Sequence, residues 1–251
     1  MTTKLIAAAA LATVAATAAC TAKPRGAAGG SGPGAVQLWP GLGVASAADI
    51  PNELKAAWAN GTFVLRDDRL PGRHQRSLAT CAELVGVSEG DLRIDPGWER
   101  YVLLEKFIRC DVLDALTRAR PSRVSYLRDV IESNDPGALL PATVSPVGDA
   151  TASAPSSAPS SAVSWRATDP TLTFDRAGGR PGYQELIVGG AFRGRLSWWA
   201  AGDLDGDGIE DAVLFSNLAP TTGKHPSNVM RAFVLTRRQA NGPVTVTRQF
   251  P

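Results

Sequence analysis

The spacing of hydrophobic residues changes along the chain, and it predicts helices in the first part and strands in the last. The longest helix is expected to begin at Asp95, a cap residue followed by Pro96, and to end near Ala119. Its apolar residues recur every third or fourth position on one face: Leu103, Phe107, Cys110, Leu113 and Leu116. The same start and stop signals predict shorter helices over about 49–60, 74–84 and 122–133.

From about residue 164 onward, apolar residues fall in short runs separated by Gly, Pro, Asn and Asp, which is typical of strands joined by turns. The predicted strands are SWRA, TLTF, YQELIV, GRLSWW, DAVLF, NVMRAFVLTR and VTVTRQ. We expect one antiparallel sheet, with a helix or a loop over one face. The predicted fold class is therefore α+β, with a small N-terminal helical domain and a C-terminal antiparallel β-rich domain.

Two stretches of low complexity set the predicted domain boundaries. Residues 21–45 are rich in Gly, Ala and Pro and are expected to form a flexible tether. Residues 144–163 are rich in Ser, Pro and Ala and have too little apolar surface to fold alone, which predicts a linker. The helical domain is therefore placed at residues 46–143 and the β-rich domain at residues 164–251.

Residues 1–20 have the composition of a targeting segment. Lys4 precedes an apolar run that is too short and too rich in alanine for a stable membrane span. The run ends in TAAC at Cys20, which resembles the lipobox of bacterial lipoproteins, although Thr17 stands where an aliphatic residue is usual. The resemblance implies cleavage before Cys20 and a lipid on its thiol, and Thr21 is typical of sorting to the outer membrane. A secretory peptide cleaved near the same point is the alternative.

The helical segment also resembles, loosely, parts of uncharacterised lipoproteins of Gram-negative bacteria, and this resemblance implies no activity. Two further cysteines, Cys81 and Cys110, fall on two of its predicted helices. Outside the cytoplasm, two such cysteines in one small domain are expected to form a disulfide. Two reduced core thiols or a metal-binding pair are the alternatives, but His74 is the one histidine near them in the sequence.

The charge of the chain does not favour a nucleic-acid partner. It has 26 Lys and Arg against 24 Asp and Glu, which gives a formal net charge of +2. Loss of Lys4 with a cleaved targeting segment would bring the two counts closer still. Such near neutrality gives no electrostatic attraction to nucleic acid or to an anionic membrane surface, so the expected tie to a membrane is the lipid anchor.

The stretch with the most chemistry is Gly202–Phe215, which reads GDLDGDGIEDAVLF. Its four aspartates lie close together, with no Lys or Arg between them: Asp203, Asp205, Asp207 and Asp211. Ca²⁺ takes about six to eight oxygen ligands, and alternate carboxylates can converge on it if the chain turns sharply at Gly208. Ile209 would offer its backbone carbonyl. The loop is EF-hand-like only in its first nine positions, because Leu214 stands where an EF-hand has glutamate.

This DxDxDGxxD loop leads directly into an apolar strand, and in this it resembles the calcium loops of FG-GAP and integrin-type repeats. The resemblance implies five ligands, which are the side chains of Asp203, Asp205, Asp207 and Asp211 and the carbonyl of Ile209. The loop occurs once and no internal repeat is present, which argues against a propeller. A solvated hairpin turn without an ion is the first alternative, and Mg²⁺ or another ion is the second.

Sequence motifs of catalysis are missing from the chain. We find no G-x-S-x-G, H-E-x-x-H, Walker or G-x-G-x-x-G motif. Glu99 and Glu105 lie on the long helix but do not share a helical direction, so they are more typical of a solvated face than of a glycosidase pair. We therefore favour a non-enzymatic, calcium-stabilised module that binds an envelope protein or glycan. The alternatives are an envelope hydrolase acting on glycan or peptidoglycan through carboxylates, and a periplasmic inhibitor or assembly factor.

Overall fold

The computed structural model describes residues 34–59, 63–67, 75–87, 92–93, 98–146, 163–176, 185–222 and 228–250. The predicted targeting segment 1–20 with Cys20, residues 21–33 of the predicted tether and residues 147–162 of the predicted linker lie outside the described residues. The described part contains both helices and an antiparallel sheet, which confirms the α+β prediction at this level. None of the helices in it is long and apolar enough to cross a membrane.

The N-terminal part contains short elements and one long helix. They are β1 Gln37–Leu38, α1 Ile50–Lys55, β2 Phe63–Asp67, β3 Gln75–Leu78, α2 Cys81–Leu84, β4 Leu92–Arg93, α3 Trp98–Leu116 and α4 Arg128–Glu132. The prediction of one helix over about 74–84 is wrong for β3, which pairs antiparallel with β2, and agrees only with α2. Thr80 sets this boundary through a capping box. Its hydroxyl accepts the Glu83 N–H, and the Glu83 carboxylate accepts the Thr80 N–H.

The C-terminal part is an antiparallel sheet preceded by one short helix. Its elements are α5 Trp165–Thr168, β5 Thr173–Arg176, β6 Glu185–Gly189, β7 Phe192–Gly202, β8 Asp211–Pro220, β9 Val229–Thr236 and β10 Thr245–Phe250. Consecutive strands pair in the order β10-β9-β8-β7-β6-β5, as turn-separated apolar runs predict. The SWRA segment was predicted as a strand but forms α5, because Ser164 caps it by accepting the Ala167 N–H.

Both faces of the sheet are covered. One face packs against α3 in a single cluster with these members, among others: Leu103, Phe107, Leu113, Trp199, Val213, Phe215 and Val234. The opposite face packs against α4 and α5 in a second cluster with these members, among others: Leu127, Val130, Trp165, Trp198, Leu214 and Phe233. The helical segment and the sheet thus share a core, which differs from the predicted layout of two separate domains. The wide apolar face of α3 is buried mainly because the sheet supplies a surface large enough to cover it.

The described end of the predicted tether belongs to this fold. β1 pairs antiparallel with β7, where Gln37 lies opposite Ala201 and Leu38 opposite Ala200. Leu42 is fully buried, and its carbonyl oxygen accepts a hydrogen bond of 2.8 Å from Arg109 Nε on α3. The tether prediction is therefore wrong for residues 37–42, where glycine and proline make turns between residues of the core.

A disulfide joins α2 to α3, as predicted from the two cysteines. Cys81 and Cys110 are bonded, with Cα atoms 5.1 Å apart, and both are buried in the cluster beneath α3. The bond links residues 29 positions apart in the chain. It therefore fixes the short helix α2 against the long helix that covers the sheet.

Candidate metal centre

The acidic loop lies at one end of the sheet, in the connection between β7 and β8. Gly202 and Asp211 are the last paired residues of this hairpin. Gly206 and Gly208 have φ angles of 87° and 86°, a conformation that residues with a side chain rarely adopt. The loop therefore favours glycine at these two positions, and the spacing of the aspartates predicted the sharp turn at Gly208.

The two buried aspartates of the loop are oriented by backbone N–H groups. Asp203 accepts the Gly206 N–H at 2.6 Å on one carboxylate oxygen and the Gly208 N–H at 3.0 Å on the other. Asp211 accepts the Leu204 N–H at 2.9 Å on Oδ2. Asp203 is 4% exposed and Asp211 is 1% exposed, so neither carboxylate is solvated as it would be in an open turn.

Three of the predicted ligands converge. Asp203, Asp205 and Asp211 each offer one carboxylate oxygen, and these oxygens lie within 4.8 Å of one another. Because Ca²⁺ lies about 2.3–2.6 Å from its oxygen ligands, two oxygens on the same ion are at most about 5 Å apart. The cluster therefore has the dimensions of a site that can hold a metal ion, which the spacing of the aspartates predicted.

The other two predicted ligands, Asp207 and Ile209, are outside this convergent group. Asp207 Oδ1 accepts the Ile209 N–H at 2.7 Å, and its Oδ2 lies 3.7 Å from an Arg238 nitrogen. Asp205 uses Oδ1 to accept the Asp207 N–H at 3.0 Å. The convergent group contains neither Asp207 nor Ile209, so the roles of the Asp207 carboxylate and the Ile209 carbonyl as ligands stay predictions.

Two arginines bring positive charge to the loop from distant parts of the chain. Arg238 lies just beyond β9, with one nitrogen 3.9 Å from Asp205 Oδ2 and another 3.7 Å from Asp207 Oδ2. The Arg123 guanidinium covers Gly208 so closely that a Cβ atom there would lie 2.5 Å from Nη2. The sequence of the loop did not predict either arginine, because no local pattern connects these distant residues to it.

An extended segment after α3 is joined to the loop by backbone hydrogen bonds. Arg120 exchanges two bonds with Asp203, at 2.8 and 2.9 Å. Gly208 accepts the Arg123 N–H at 2.8 Å, and Glu210 donates its N–H to the Val124 carbonyl at 2.7 Å. The predicted helix over about 122–133 is therefore wrong before α4, because these backbone groups bond to the loop and not to one another.

Among the aspartates of the cluster, Asp211 has a raised pKa. Burial raises the pKa of its carboxyl from 3.8 to about 6; the N–H of Leu204 lowers the pKa, and the charges of Asp205 and Asp207 raise it further. A carboxyl with this pKa is largely ionised at neutral pH at the expense of folding free energy. A cation bound between Asp203, Asp205 and Asp211 would offset that cost.

A separate groove of about 290 Å³ lies between the first three helices. It is lined by Pro51, Leu54, Lys55, Ala82, Val85, Asp114 and Thr117. Asp114 is the one carboxylate in this lining, and it is paired with Arg118 at 2.8 Å. Glycoside hydrolysis generally uses two carboxyl groups, so this groove does not supply the acid and base of such a reaction.

Comparison with known proteins found no match to the chain among family models, curated proteins or solved structures.

Proposed function

We propose that the chain is a lipid-anchored protein of the bacterial cell envelope, expected at the outer membrane. In this proposal the acidic loop holds a structural Ca²⁺ ion, and the folded part binds an envelope protein or glycan without catalysing a reaction. The convergence of Asp203, Asp205 and Asp211 is the observation that carries the metal part. The TAAC sequence that ends at Cys20 supports the anchor.

The chemistry of the donors favours Ca²⁺ over other ions. The convergent side chains offer carboxylate oxygens, which suit hard cations, and no sulfur or imidazole ligand is among them. Mg²⁺ demands near-octahedral geometry and keeps several waters, whereas Ca²⁺ tolerates irregular cages of protein oxygens. Three carboxylates that converge from one short loop fit the second description better.

The position of the site favours a structural role. Asp203 follows the end of β7 and Asp211 begins β8, so an ion between them would tie two neighbouring strands together at the end of the sheet. Both side chains are buried. Catalytic metal sites keep a coordination position open to substrate, and two buried ligands at a strand end favour a closed site instead.

Thermal unfolding with Ca²⁺ and with a chelator tests the metal part. At about 100 times its dissociation constant, an ion that binds only the folded state adds about 2.7 kcal/mol to the free energy of unfolding, which raises Tm by several degrees. Asp205→Asn should abolish this rise, because it removes one of the converging carboxylates. Asp175→Asn is the matched control, since it makes the same charge change at an exposed residue of β5.

The metal assignment fails if wild-type protein has the same Tm in Ca²⁺ and in chelator and calorimetry detects no binding. An equal rise with Mg²⁺ at the same concentration would identify a less selective site. The anchor is tested separately by incorporation of labelled palmitate in a bacterial host, with Cys20→Ser as control. A wild-type protein that takes up no label would refute the anchor and leave the ion site standing.

Binding to the envelope is tested by co-sedimentation of the folded protein with purified peptidoglycan, in Ca²⁺ and in chelator. Sedimentation that depends on Ca²⁺ supports a glycan partner. If the protein does not sediment with peptidoglycan, in-cell crosslinking tests for a protein partner instead. Release of soluble fragments from the peptidoglycan would instead support the hydrolase. The single paired carboxylate of the groove, Asp114, does not favour that outcome.

A further inference from the structure

We propose that Thr236, at the end of β9, supplies a further oxygen ligand to the Ca²⁺ site. This inference rests on the proposed function, because it assigns one more residue to the same ion. Thr236 lies outside the DxDxDGxxD loop, and nothing in the local sequence associates it with a metal.

The sheet places Thr236 beside the most buried of the converging aspartates. Asp211 on β8 lies directly opposite Thr236 on β9 in the antiparallel register. Side chains of directly opposed residues lie on the same face of a sheet, with Cβ atoms about 4.5–5.5 Å apart. Thr236 therefore faces the carboxylate that closes the cluster.

The hydroxyl of Thr236 is buried and lacks a partner. The residue is 1% exposed, and Oγ1 makes no hydrogen bond of ordinary geometry within the described part of the chain. A buried hydroxyl left in this state destabilises the fold, and folded proteins generally avoid it. This unpartnered hydroxyl is an observation separate from the convergence of the aspartates, and it belongs to the residue directly opposite Asp211.

The chemistry of a hydroxyl fits such a position. Threonine offers one O–H and two lone pairs, so it can donate to Asp211 and coordinate a cation at the same time. Three carboxylates supply only part of the roughly six to eight oxygens that Ca²⁺ takes. Coordination by Thr236 would add a neutral oxygen, and it would satisfy the buried hydroxyl without adding negative charge to the cluster.

The test compares Ca²⁺ affinity, measured by calorimetry, in wild type, Thr236→Val and Thr236→Ser. Valine keeps the shape of threonine and removes the oxygen, so its dissociation constant should rise at least about tenfold, whereas serine keeps the oxygen and should stay within about threefold. Thr245→Val is the matched control, because Thr245 on β10 lies directly opposite Thr236 and is therefore one strand farther from Asp211. It should bind Ca²⁺ as wild type does.

A second measurement separates a ligand from a residue that only supports the fold. Tb³⁺ bound in place of Ca²⁺ reports its number of coordinated waters through its luminescence lifetime in H₂O and D₂O. Thr236→Ala removes the oxygen and leaves space, so about one more water should coordinate the ion than in wild type. An unchanged water number in Thr236→Ala, or wild-type affinity in Thr236→Val, would overturn the inference. If wild-type protein itself binds no Ca²⁺, the proposed function fails, and this inference fails with it.

Discussion

Replacing Arg238 by glutamine is expected to tighten Ca²⁺ binding. The Arg238 guanidinium lies beside Asp205 and Asp207, at 3.9 and 3.7 Å from their Oδ2 atoms. A bound Ca²⁺ would bring two further positive charges close to this guanidinium and be repelled by it. Arg238→Gln removes the positive charge and keeps a polar side chain of similar reach. The substitution therefore favours the ion-bound state over the ion-free state.

The size of the effect follows from the distances. An ion about 2.3–2.6 Å from the carboxylate oxygens would lie about 5–6 Å from the Arg238 nitrogens. In water, a double and a single charge repel at this separation by about 1.5 kcal/mol, and physiological salt reduces this repulsion to about half. The value for water applies because the side chain of Arg238 is 66% exposed. The dissociation constant of Arg238→Gln should therefore be about threefold to tenfold lower than that of wild type.

The assay is competition between the protein and a chelating dye for Ca²⁺, repeated at about 0.05 M and 0.5 M NaCl, where the screening length differs about threefold. The difference between wild type and Arg238→Gln should shrink at the higher salt. Arg195→Gln is the matched control, because this exposed arginine lies on β7 about 20 Å along the strand from Gly202. Equal or weaker affinity in Arg238→Gln would refute the reasoning. A shift of the same size in Arg195→Gln would do so too, since it would show an effect of net charge alone.

Two further predictions concern stability. In chelator, the free energy of unfolding should fall as pH rises from about 4 to about 6. Burial raises the pKa of Asp211 from 3.8 to about 6, so between these values the folded state binds a proton that the unfolded state has lost. Urea unfolding of Asp211→Asn across about pH 4–7 should lack this decline, and an identical pH profile would count against the raised pKa. Replacing both Cys81 and Cys110 by serine should lower the free energy of unfolding by about 3–4 kcal/mol, the chain-entropy value for 29 residues. A urea midpoint that does not change would show that the disulfide contributes no net stability.

Regular patterns in the sequence predicted the elements that form the core. The periodic face of α3 and the short apolar runs of β7, β8 and β9 bury most of their apolar residues, and successive strand residues lie on opposite faces of the sheet. The prediction failed where backbone pairing or capping decides the structure. β3 is a strand because it pairs with β2, and residues 120–124 are extended because their backbone groups bond to the acidic loop. Such contacts join segments that are distant in sequence, and no short window contains both partners.

The same distinction applies to the candidate site. Asp203, Asp205 and Asp211 lie within one short loop, so their spacing alone predicted that they converge. Arg123, Arg238 and Thr236 reach the site through the fold, by the extended segment after α3 and by the end of β9. Nothing in the sequence distinguishes these two arginines from the other arginines of the chain, or Thr236 from any other threonine in a predicted strand. Only the sheet register and the loop contacts reveal that they are neighbours of the aspartates.

The arginines also change the argument for the ion. The sequence suggested that clustered aspartates need a cation because no positive residue lies among them. In the structure, Arg123 and Arg238 supply part of that charge, and backbone N–H groups of the loop already bond to each of the four carboxylates. These contacts therefore supply part of the favourable interaction that the clustered carboxylates need. Removing a bound ion should lower Tm without unfolding the sheet, since these hydrogen bonds and charges hold the loop as well.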